Sequence, residues 1–369
     1  MRPLRILHLT AGSDAGGLSQ YLLQLCRAMH SAGHKIAIAG ERGAWHDRFA
    51  AEPWPWIDVP LKGGVFALSN AAKTLQKYLA AHPVDLLHTH YRKATLVARK
   101  LQRTNVAPIL YTLHLSHISL GGPRRWLSDF GDHTHVAASE AREWLLSERA
   151  VPEQKISLIP HGIEIDRFPV PEEKTKLIAR AALGLEESYR VALYVGRLDD
   201  PKNEGWLLDL ADRTRSTLPN LRVLLAGEGP HEAALQRRLQ KEKLEDRVKL
   251  LGHRDPMPLY SAADALLLPS AREGFSLACA EAMCAGVPVL RTRTSGTAEL
   301  IVENVTGVSV PIEHEAFIDG SIRFLSDLPA LRAMGQAAAA RIREHFTFER
   351  QLQRTLELYE RLAAGGRAN

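Results

Sequence analysis

Short apolar runs alternate with helix-like stretches along the whole chain, and this rhythm constrains the fold more than any other feature. In the first half, a stretch typical of a helix at 18–31 lies between the first two of four predicted strands, at 6–9, 35–39, 85–88 and 109–113. The second half repeats the rhythm, with predicted strands at 191–195, 221–226, 248–251, 265–268 and 287–290. Strands that alternate with helices form parallel sheets with crossover helices. We therefore expect an α/β protein with two doubly wound domains.

The pattern is interrupted at 160–171, where three prolines and a glycine indicate a hinge between the domains. A chain of 369 residues is long enough for two domains of roughly 150 to 200 residues, each with its own core. We place the first domain at 1–165 and the second at 166–347. The remaining segment, 348–369, begins with a long amphipathic helix that no strand follows.

The composition is typical of a soluble globular protein, with 45% apolar residues, 24% charged residues and a net charge of +5 that favours anionic partners. Cys26, Cys279 and Cys284 form no disulfide framework, so we expect a reducing cytoplasm. No apolar run reaches the roughly 18 residues that cross a bilayer. The opening stretch 1–10 is more typical of a first strand than of a signal peptide.

Two glutamates surround the turn that follows the predicted strand 265–268. Glu273 lies in the exit loop of this strand, and Ser276 has the position of an N-cap for the next helix. Glu281 lies about a turn and a half into that helix. Ligands of open α/β sheets bind at the carboxyl ends of strands, and the amides of 275–277 would face a bound phosphate. The turn is therefore a candidate phosphate site, with Glu273 in reach of neighbouring hydroxyl groups.

Two other loops that follow predicted strands carry residues suited to anions. The loop after the first strand contains Gly16 and Gly17, and paired glycines let backbone amides approach a phosphate or a sugar closely. Glycines also occur in ordinary turns. The loop after the strand 191–195 contains Arg197 and Lys202, which could neutralise a diphosphate, although both residue types are common on any protein surface.

Histidine pairs raise the question of a metal site. His88 and His90, and likewise His133 and His135, are two residues apart, so that on a strand each pair would share one face and could bind one ion. These pairs have no Cys, Asp or Glu at ligand spacing, and no Asp-x-Asp follows a strand. We therefore expect no metal site.

The segment 91–104 contains five basic residues and no acidic one. On a helix, Arg92, Arg99 and Arg103 would form a stripe along one face. The stripe is either a solvated positive face or a surface for an anionic acceptor, or for a membrane that carries one.

Taken together, these motifs resemble one family. The Glu-x7-Glu spacing from Glu273 to Glu281, the 196–198 Gly-Arg-Leu with Lys202 downstream, and the Gly-Gly loop are similar to motifs of the retaining family 4 glycosyltransferases, also called glycosyl transferases group 1, of the GT-B fold. The resemblance covers nearly the whole chain and is strongest at 191–301. It implies two Rossmann-like domains that face each other across a cleft, with the terminal helix packing back on the first domain.

The resemblance also implies roles for single residues. Arg197 and Lys202 would bind the donor diphosphate, Glu273 the donor sugar and Glu281 the nucleotide ribose. His114, at the end of the strand 109–113, would lie near the reacting sugar, although a histidine at a strand end is more often structural. The implied catalytic set is His114, Arg197, Lys202 and Glu273. The implied donor-binding set is Gly16, Gly17, Arg197, Lys202, Arg254, Glu273, Gly274, Phe275, Ser276, Leu277 and Glu281, and the implied acceptor-side set is Arg92, Lys93 and His117.

Two segments depart from the family pattern. The stretch 295–299 lacks a glycine and the proline of the commoner Gly-Gly-x-Pro-Glu, and His161 stands where Asn is frequent. The loop 251–254, which contains Arg254, corresponds to one that lies against the nucleotide base in relatives. These departures leave the identity of the donor open.

The function that the resemblance implies is transfer of a sugar from a nucleoside-diphosphate sugar, with UDP or GDP expected, to a hydroxyl of a glycan, lipid-linked or small-molecule acceptor in cell-envelope or exopolysaccharide synthesis. The transfer would be retaining and independent of metal ions and other cofactors, with same-face attack and the leaving phosphate accepting the proton.

The alternatives are a nucleotide-sugar epimerase or phosphorylase of the same fold, and a non-catalytic sugar-nucleotide-binding subunit. A dehydrogenase is disfavoured because no Gly-x-Gly-x-x-Gly follows a strand. Peripheral contact with an anionic membrane is a further expectation, and a nucleic-acid partner is not expected.

Overall fold

The structure, a computed structural model, describes residues 2–14, 16–104, 107–118, 120 and 128–365. The chain divides into two compact units. One unit comprises Met1–Pro160 together with Glu349–Asn369, and the other comprises His161–Phe348. Within the described residues, none of the helices combines the length and the apolar character that crossing a bilayer requires.

The first unit contains a parallel sheet of seven strands in the order β3-β2-β1-β4-β5-β6-β7. Its strands are β1 Arg5–Gly12, β2 Lys35–Glu41, β3 Trp56–Asp58, β4 Leu86–Thr89, β5 Ile109–Leu113, β6 His133–Val136 and β7 Ile156–Leu158. Its described helices are α1 Gly17–Ser31, α2 His46–Ala50, α3 Val65–Ala81, α4 Arg92–Leu101 and α5 Ser139–Ser147.

The second unit contains a parallel sheet of six strands in the order β10-β9-β8-β11-β12-β13. These strands are β8 Arg190–Val195, β9 Leu221–Ala226, β10 Val248–Leu250, β11 Ala265–Leu268, β12 Val289–Thr292 and β13 Gly307–Val310. The helices are α6 Glu173–Ala182, α7 Trp206–Arg213, α8 Glu232–Glu242, α9 Pro256–Ala262, α10 Leu277–Cys284, α11 Thr297–Leu300, α12 His314–Ser326 and α13 Leu328–His345. The terminal helix, α14 Phe348–Gly365, begins at the unit boundary and forms most of the C-terminal segment that belongs to the first unit.

Both sheets have the doubly wound order, in which the direction of strand succession reverses once. The reversal lies between β1 and β4 in the first unit and between β8 and β11 in the second. Loops on the two sides of such a reversal leave a crevice at the carboxyl ends of the strands. The predicted α/β architecture is therefore confirmed, and each unit has one edge suited to a ligand.

The sequence prediction missed β3, β6, β7 and β13. Three of these are short or lie at a sheet edge, and β6 reads His-Thr-His-Val, so none shows a run of apolar residues. β12 begins at Val289 rather than at 287, because Val287 still donates its N–H to Ala282 O at the end of the preceding helix. Pro288 then has no N–H to offer to a strand ladder.

The sheet of the first unit has two chemically different faces. On one face, Leu7, Leu87 and Ile109 lie in a buried apolar cluster with residues of α3 and α4. Side chains alternate along a strand, so the intervening positions face the other way. There His8 and His88 are register partners on neighbouring strands, and both are fully buried.

Hydrogen bonds connect the histidine face to the terminal helix. His88 Nδ1 lies 2.5 Å from the hydroxyl of Tyr359, a buried residue of α14, and His88 Nε2 lies 2.7 Å from Thr112 Oγ1. Thr112 Oγ1 is also 3.0 Å from His135 Nδ1, and His135 Nε2 is 2.8 Å from Ile159 O. The terminal helix thus contacts this polar layer through Tyr359, in addition to burying apolar residues such as Leu358.

Burial keeps these histidines neutral. Removal from water lowers the pKa of His8 to about 3 and that of His135 to about 4. The same cause, with repulsion between neighbouring imidazoles, holds the pKa values of His88 and His90 well below the ordinary value. A neutral imidazole is the form that can both donate and accept a hydrogen bond.

The three cysteines are buried free thiols. Burial raises the pKa values of Cys279 and Cys284 to about 11 and that of Cys26 well above the ordinary value. Thiolates are the reactive form, so these thiols are chemically inert near neutral pH.

We predict that acid destabilises the protein from about pH 6.5 downward. Below that pH the histidines of the unfolded chain bind protons, whereas the buried ones stay neutral until about pH 3 to 4, so the free energy of unfolding is greatest above pH 6.5 and falls as the pH falls. Each such histidine contributes a slope of about 1.4 kcal/mol per pH unit. Urea unfolding between pH 8 and pH 5 measures this slope.

His8→Leu is the matched variant, because it removes one buried titrating group. Its slope between pH 6 and pH 5 should be shallower by about 1.4 kcal/mol per pH unit than that of the wild type. Identical slopes for the two proteins would show that His8 does not resist protonation in the folded state.

Candidate active site

A salt bridge lies at the strand-order reversal of the second unit. Lys202, in the loop after β8, places its Nζ 2.7 Å from Glu273 Oε1, in the loop after β11. Ser270 Oγ donates a second hydrogen bond to the same oxygen, also at 2.7 Å. The side chains of Lys202 and Glu273 are 20% and 11% exposed, so the pair is largely shielded from water. The structure thus brings together two residues that sequence reasoning assigned to one site.

The two loops are tied together by two hydrogen bonds. Asn203 adopts a left-handed conformation with a φ of 52° and donates from Nδ2 to Pro269 O at 3.0 Å. Ala271 N–H donates to Pro201 O at 2.7 Å. These two bonds join the residues on either side of Lys202 to the residues on either side of Ser270, and so fix the two loops relative to each other. Sequence reasoning assigned no role to Asn203 or Ser270, although both lie within the loops that it singled out.

Arg197 has a different partner from Lys202. Its Nε donates to Asp199 Oδ2 at 2.8 Å, and its side chain is 56% exposed. Its carbonyl oxygen accepts a hydrogen bond from the hydroxyl of Tyr194, at 2.6 Å. Arg197 therefore shares the loop of Lys202 but lies in a salt bridge with its own neighbour, in an exposed position.

The start of α10 offers mainly backbone amides to a ligand. Ser276 occupies the N-cap position with a φ of 66°, and its side chain makes no capping hydrogen bond within the described structure. Phe275 is buried and packs edge-on against His161, at 5.6 Å between ring centroids. Phe275 and Leu277 can therefore serve an anion only through their amides, whereas Ser276 can also offer its hydroxyl.

The segment that departs from the family pattern lies against this turn. A Cβ on Gly296, whose φ is +80°, would lie 2.6 Å from Phe275 O and 2.9 Å from Gly274 O. The one glycine that 295–299 retains is thus the one that this contact requires.

Glu281 and Arg254 lie on separate elements of the same unit. Glu281, on α10, accepts a hydrogen bond from the hydroxyl of Tyr260 at 3.0 Å, and burial raises the pKa of its carboxyl to about 7. Arg254 is exposed and donates from Nε to Leu251 O at 3.0 Å. Tyr260 lies on α9, a segment in which the sequence analysis found no functional motif.

The carboxyl edge of the first sheet carries its own group of predicted residues. Gly16 caps α1 with a φ of 144°, a conformation that glycine adopts readily and residues with a side chain rarely do. Gly17 is the first residue of that helix. His114 directly follows β5, and its Nε2 lies 3.2 Å from His90 Nδ1. The ring of Tyr21 contacts His114 edge-on, at 5.4 Å between centroids.

His8, His88 and His90 lie close enough together to hold a metal ion, with one candidate ligand atom of each within 4.8 Å of the others. The sequence analysis considered His88 and His90 but missed His8, because that residue arrives from a strand 80 positions away. Five of the six ring nitrogens already have hydrogen-bond partners. The three neutral rings therefore already use almost all of their nitrogens in hydrogen bonds.

The basic stripe is shorter than predicted and partly neutralised. α4 ends at Leu101, so Arg103 lies beyond the helix. Arg99 forms salt bridges with Asp129 and Asp132, at 2.8 and 2.6 Å, which the local sequence 91–104 could not reveal.

The three predicted acceptor-side residues have local partners. Arg92 donates from Nη1 to Ser128 Oγ at 3.0 Å, and Lys93 donates from Nζ to the carbonyl oxygens of Lys62 and Gly63. His117 forms a close contact with Glu140 on α5. The contacts that the structure describes for Arg92, Lys93 and His117 do not join these residues to one another or to His114.

Comparison with known proteins identifies the class. Residues 15–167 match the family model Glycosyltransferase Family 4, and residues 175–341 match the model Glycosyl transferases group 1. The two matches together cover most of the chain. The chain belongs to the glycosyltransferases that contain both of these domains. The crystal structure of Anabaena HepE with UDP and glucose superposes with a TM-score of 0.82 at 20% identity, over 97% of this chain and 99% of that one. The predicted GT-B fold is confirmed.

Two curated relatives are glycosyltransferases by name. The chain is 27% identical to a D-inositol 3-phosphate glycosyltransferase of Pseudarthrobacter chlorophenolicus, over 94% of this chain and 90% of the relative. It is 31% identical to LpsB of Rhizobium meliloti, a lipopolysaccharide core biosynthesis mannosyltransferase, over 56% of this chain and 61% of the relative.

We predict that Gly227→Ala displaces the loop that carries Arg197. Gly227 follows β9 with a φ of +147°, and an added Cβ would lie 1.7 Å from the backbone oxygen of Gly196. The backbone of one loop must therefore move, and we expect the free energy of unfolding to fall by about 2–3 kcal/mol. Urea unfolding measures this change.

Gly205→Ala is the matched control in the same unit. Its φ is −59°, and the nearest atom to an added Cβ is the end of a flexible arginine at 3.4 Å. A Gly227→Ala protein as stable as the Gly205→Ala protein would contradict the close approach of the two loops.

Proposed function

We propose that this protein is a retaining glycosyltransferase that moves a sugar from a nucleoside-diphosphate sugar to a hydroxyl of a glycan or lipid-linked acceptor in cell-envelope or exopolysaccharide synthesis. One observation carries the proposal: the salt bridge between Lys202 and Glu273 at the strand-order reversal of the second unit. Strand-order reversals are the ligand sites of doubly wound sheets. A cation and a carboxylate there can serve the phosphate and the hydroxyl groups of one sugar nucleotide.

The chemistry requires positive charge where the nucleoside diphosphate departs. As the bond to the anomeric carbon breaks, negative charge grows on the phosphate oxygens, and fixed cations or amides aimed at these oxygens lower the barrier. Lys202 and Arg197, which share the loop after β8, and the amides at the start of α10 would supply them. In this proposal the leaving phosphate also accepts the proton of the acceptor hydroxyl, and no metal ion or other cofactor is needed.

The remaining side chains would orient the donor. A phosphate bound by Lys202 releases Glu273 to accept hydrogen bonds from sugar hydroxyls, while Ser270 keeps the carboxylate in place. Glu281 would bind the ribose, and Arg254 would lie beside the base. His114, whose pKa burial lowers to about 3, would contact the reacting end of the sugar as an uncharged group.

A UDP-sugar is the donor that we favour, with a GDP-sugar as the alternative. The Anabaena HepE structure of the same fold was solved with UDP and glucose. The mannosyltransferase activity named for LpsB and its place in lipopolysaccharide core biosynthesis support a sugar donor and an envelope glycan as acceptor. Thermal shifts with UDP, GDP and ADP would rank the bases, since a ligand at 100 times its Kd stabilises by about 2.7 kcal/mol.

Contact with an anionic membrane would bring the enzyme to a lipid-linked acceptor. At the start of α3, Val65 and Phe66 are 77% and 90% exposed, which is unusual for large apolar side chains. Val65 lines a groove of about 230 Å³ together with Leu68, Leu96 and Val97, with the basic residues Lys100 and Arg103, and with the salt-bridged Arg99. Apolar side chains that enter a bilayer beside cations that face lipid phosphates are typical of peripheral membrane proteins.

We predict that Lys202→Ala folds normally and lowers kcat by about 10² or more, because the leaving diphosphate loses a fixed cation. Release of nucleoside diphosphate from a labelled donor, with and without acceptor, measures turnover. Lys241→Ala, at an exposed position near the end of α8, is the control and should turn over normally. Near-normal turnover by the Lys202→Ala protein would remove this residue from the phosphate site.

We predict that Phe66→Ser lowers affinity for vesicles of phosphatidylglycerol about tenfold, because a buried phenylalanine contributes about 1.5–3 kcal/mol. Vesicle co-sedimentation measures the affinity, and vesicles of phosphatidylcholine should bind the wild type much less. Val305→Ser, at a site 53% exposed on the second unit, is the control. Equal binding of wild type and Phe66→Ser would reject this surface as the membrane contact.

A further inference from the structure

Three histidines of the first unit form a row of direct imidazole contacts. His8 Nδ1 lies 3.1 Å from His90 Nε2, and His90 Nδ1 lies 3.2 Å from His114 Nε2. The row begins on β1, passes the end of β4 and reaches the residue that follows β5. Both distances are those of N–H···N hydrogen bonds.

The row couples the tautomers of its members. A neutral imidazole carries one donor and one acceptor nitrogen, so His90 must donate to one neighbour and accept from the other. The three rings can therefore hold their protons either all on Nδ1 or all on Nε2. Burial favours the neutral form of each ring, since it lowers the pKa values of His8 and His114 to about 3 and that of His90 well below the ordinary value.

The environment of His8 distinguishes these two arrangements. His8 Nε2 is buried and has no hydrogen-bond partner among the described residues. If all protons were on Nε2, His8 would bury an N–H group without an acceptor. If all protons are on Nδ1, only a lone pair is left unused. Buried donors without acceptors are the rarer defect in proteins, so the protons belong on Nδ1.

Neighbouring side chains hold the row in place. The ring of Tyr21 lies edge-on to both His90 and His114, at centroid distances of 6.0 and 5.4 Å. His88 stands outside the row, because its two nitrogens contact Tyr359 and Thr112. The row thus ends at His8 in the core and at His114 at the carboxyl edge of the sheet.

We propose that His8 and His90 are positioning residues that fix His114 as the Nδ1–H tautomer, with its Nε2 committed to accepting from His90. Any hydrogen bond that Nδ1 of His114 makes to a substrate is then one in which the histidine donates. An uncharged donor suits an oxygen of the donor sugar or of the acceptor. This inference rests on the proposed function for the role of His114, but the tautomer itself does not.

The tautomer is read directly from ¹⁵N-labelled protein, because long-range ¹H–¹⁵N correlation spectra distinguish a protonated from an unprotonated ring nitrogen. We expect His114 of the wild type to carry its proton on Nδ1. In His8→Leu the donor to His90 is lost, so His114 should become a mixture of tautomers and kcat should fall about tenfold, with KM for the donor within twofold.

His8→Asn is the matched rescue. Its amide nitrogen can take the place of Nδ1 and donate to His90, so the Nδ1–H form of His114 and most of the turnover should return. Circular dichroism and nucleotide binding check that both variants fold. Should His8→Leu fail to fold, the wild-type spectrum still decides the question.

Three results would overturn the inference: a wild-type His114 protonated on Nε2, a His114 tautomer that His8→Leu leaves unchanged, or equal losses of turnover in His8→Leu and His8→Asn. Failure of the proposed function would look different. If His114→Ala transferred sugar normally, His114 would have no role in the reaction, while the measured tautomer would stand.

Discussion

Parallel strands place their carboxyl ends at one edge of a sheet, and this constraint brings the charged pair of the second unit and the edge histidines of the first unit together. Because strand order reverses beside β1 and again beside β8, the loops at these points diverge and leave room for a ligand. Lys202 and Glu273 are 71 residues apart in sequence, and they meet because β8 and β11 are neighbours at a reversal. His90 and His114 meet in the same way, at the ends of the adjacent strands β4 and β5.

The sequence predicted much of this arrangement because its signals are local. Apolar runs located β5, β9 and β11 at the observed bounds, and the loops after predicted strands contained Lys202 and Glu273. What the sequence could not reveal arises from contacts between distant segments. The salt bridges of Arg99 come from residues 30 and 33 positions further on, and His8 joins His90 across 82 positions. β6 was not predicted because its four buried residues are two histidines, a threonine and a valine instead of an apolar run.

The two units use polar groups at their sheets in different ways. In the second unit, a charged pair at the carboxyl edge is held by hydrogen bonds between loops, where the proposed donor would bind. In the first unit, imidazoles and hydroxyls continue from the edge into the core, where each neutral ring exchanges hydrogen bonds with the next. A buried network of this kind favours the arrangement of protons and rings that leaves the fewest buried donors without acceptors. The covering terminal helix therefore adds specificity to the first unit as well as apolar contact.

The inert thiols have a practical consequence for studying how this protein works. Since Cys26, Cys279 and Cys284 are all buried and held in the protonated form, maleimide dyes would react far more readily with a cysteine introduced at the surface. A fluorescent pair could thus be installed on the native background, one dye on each unit, without first removing core residues. Single-molecule energy transfer would then follow the distance between the units as nucleotide arrives and leaves.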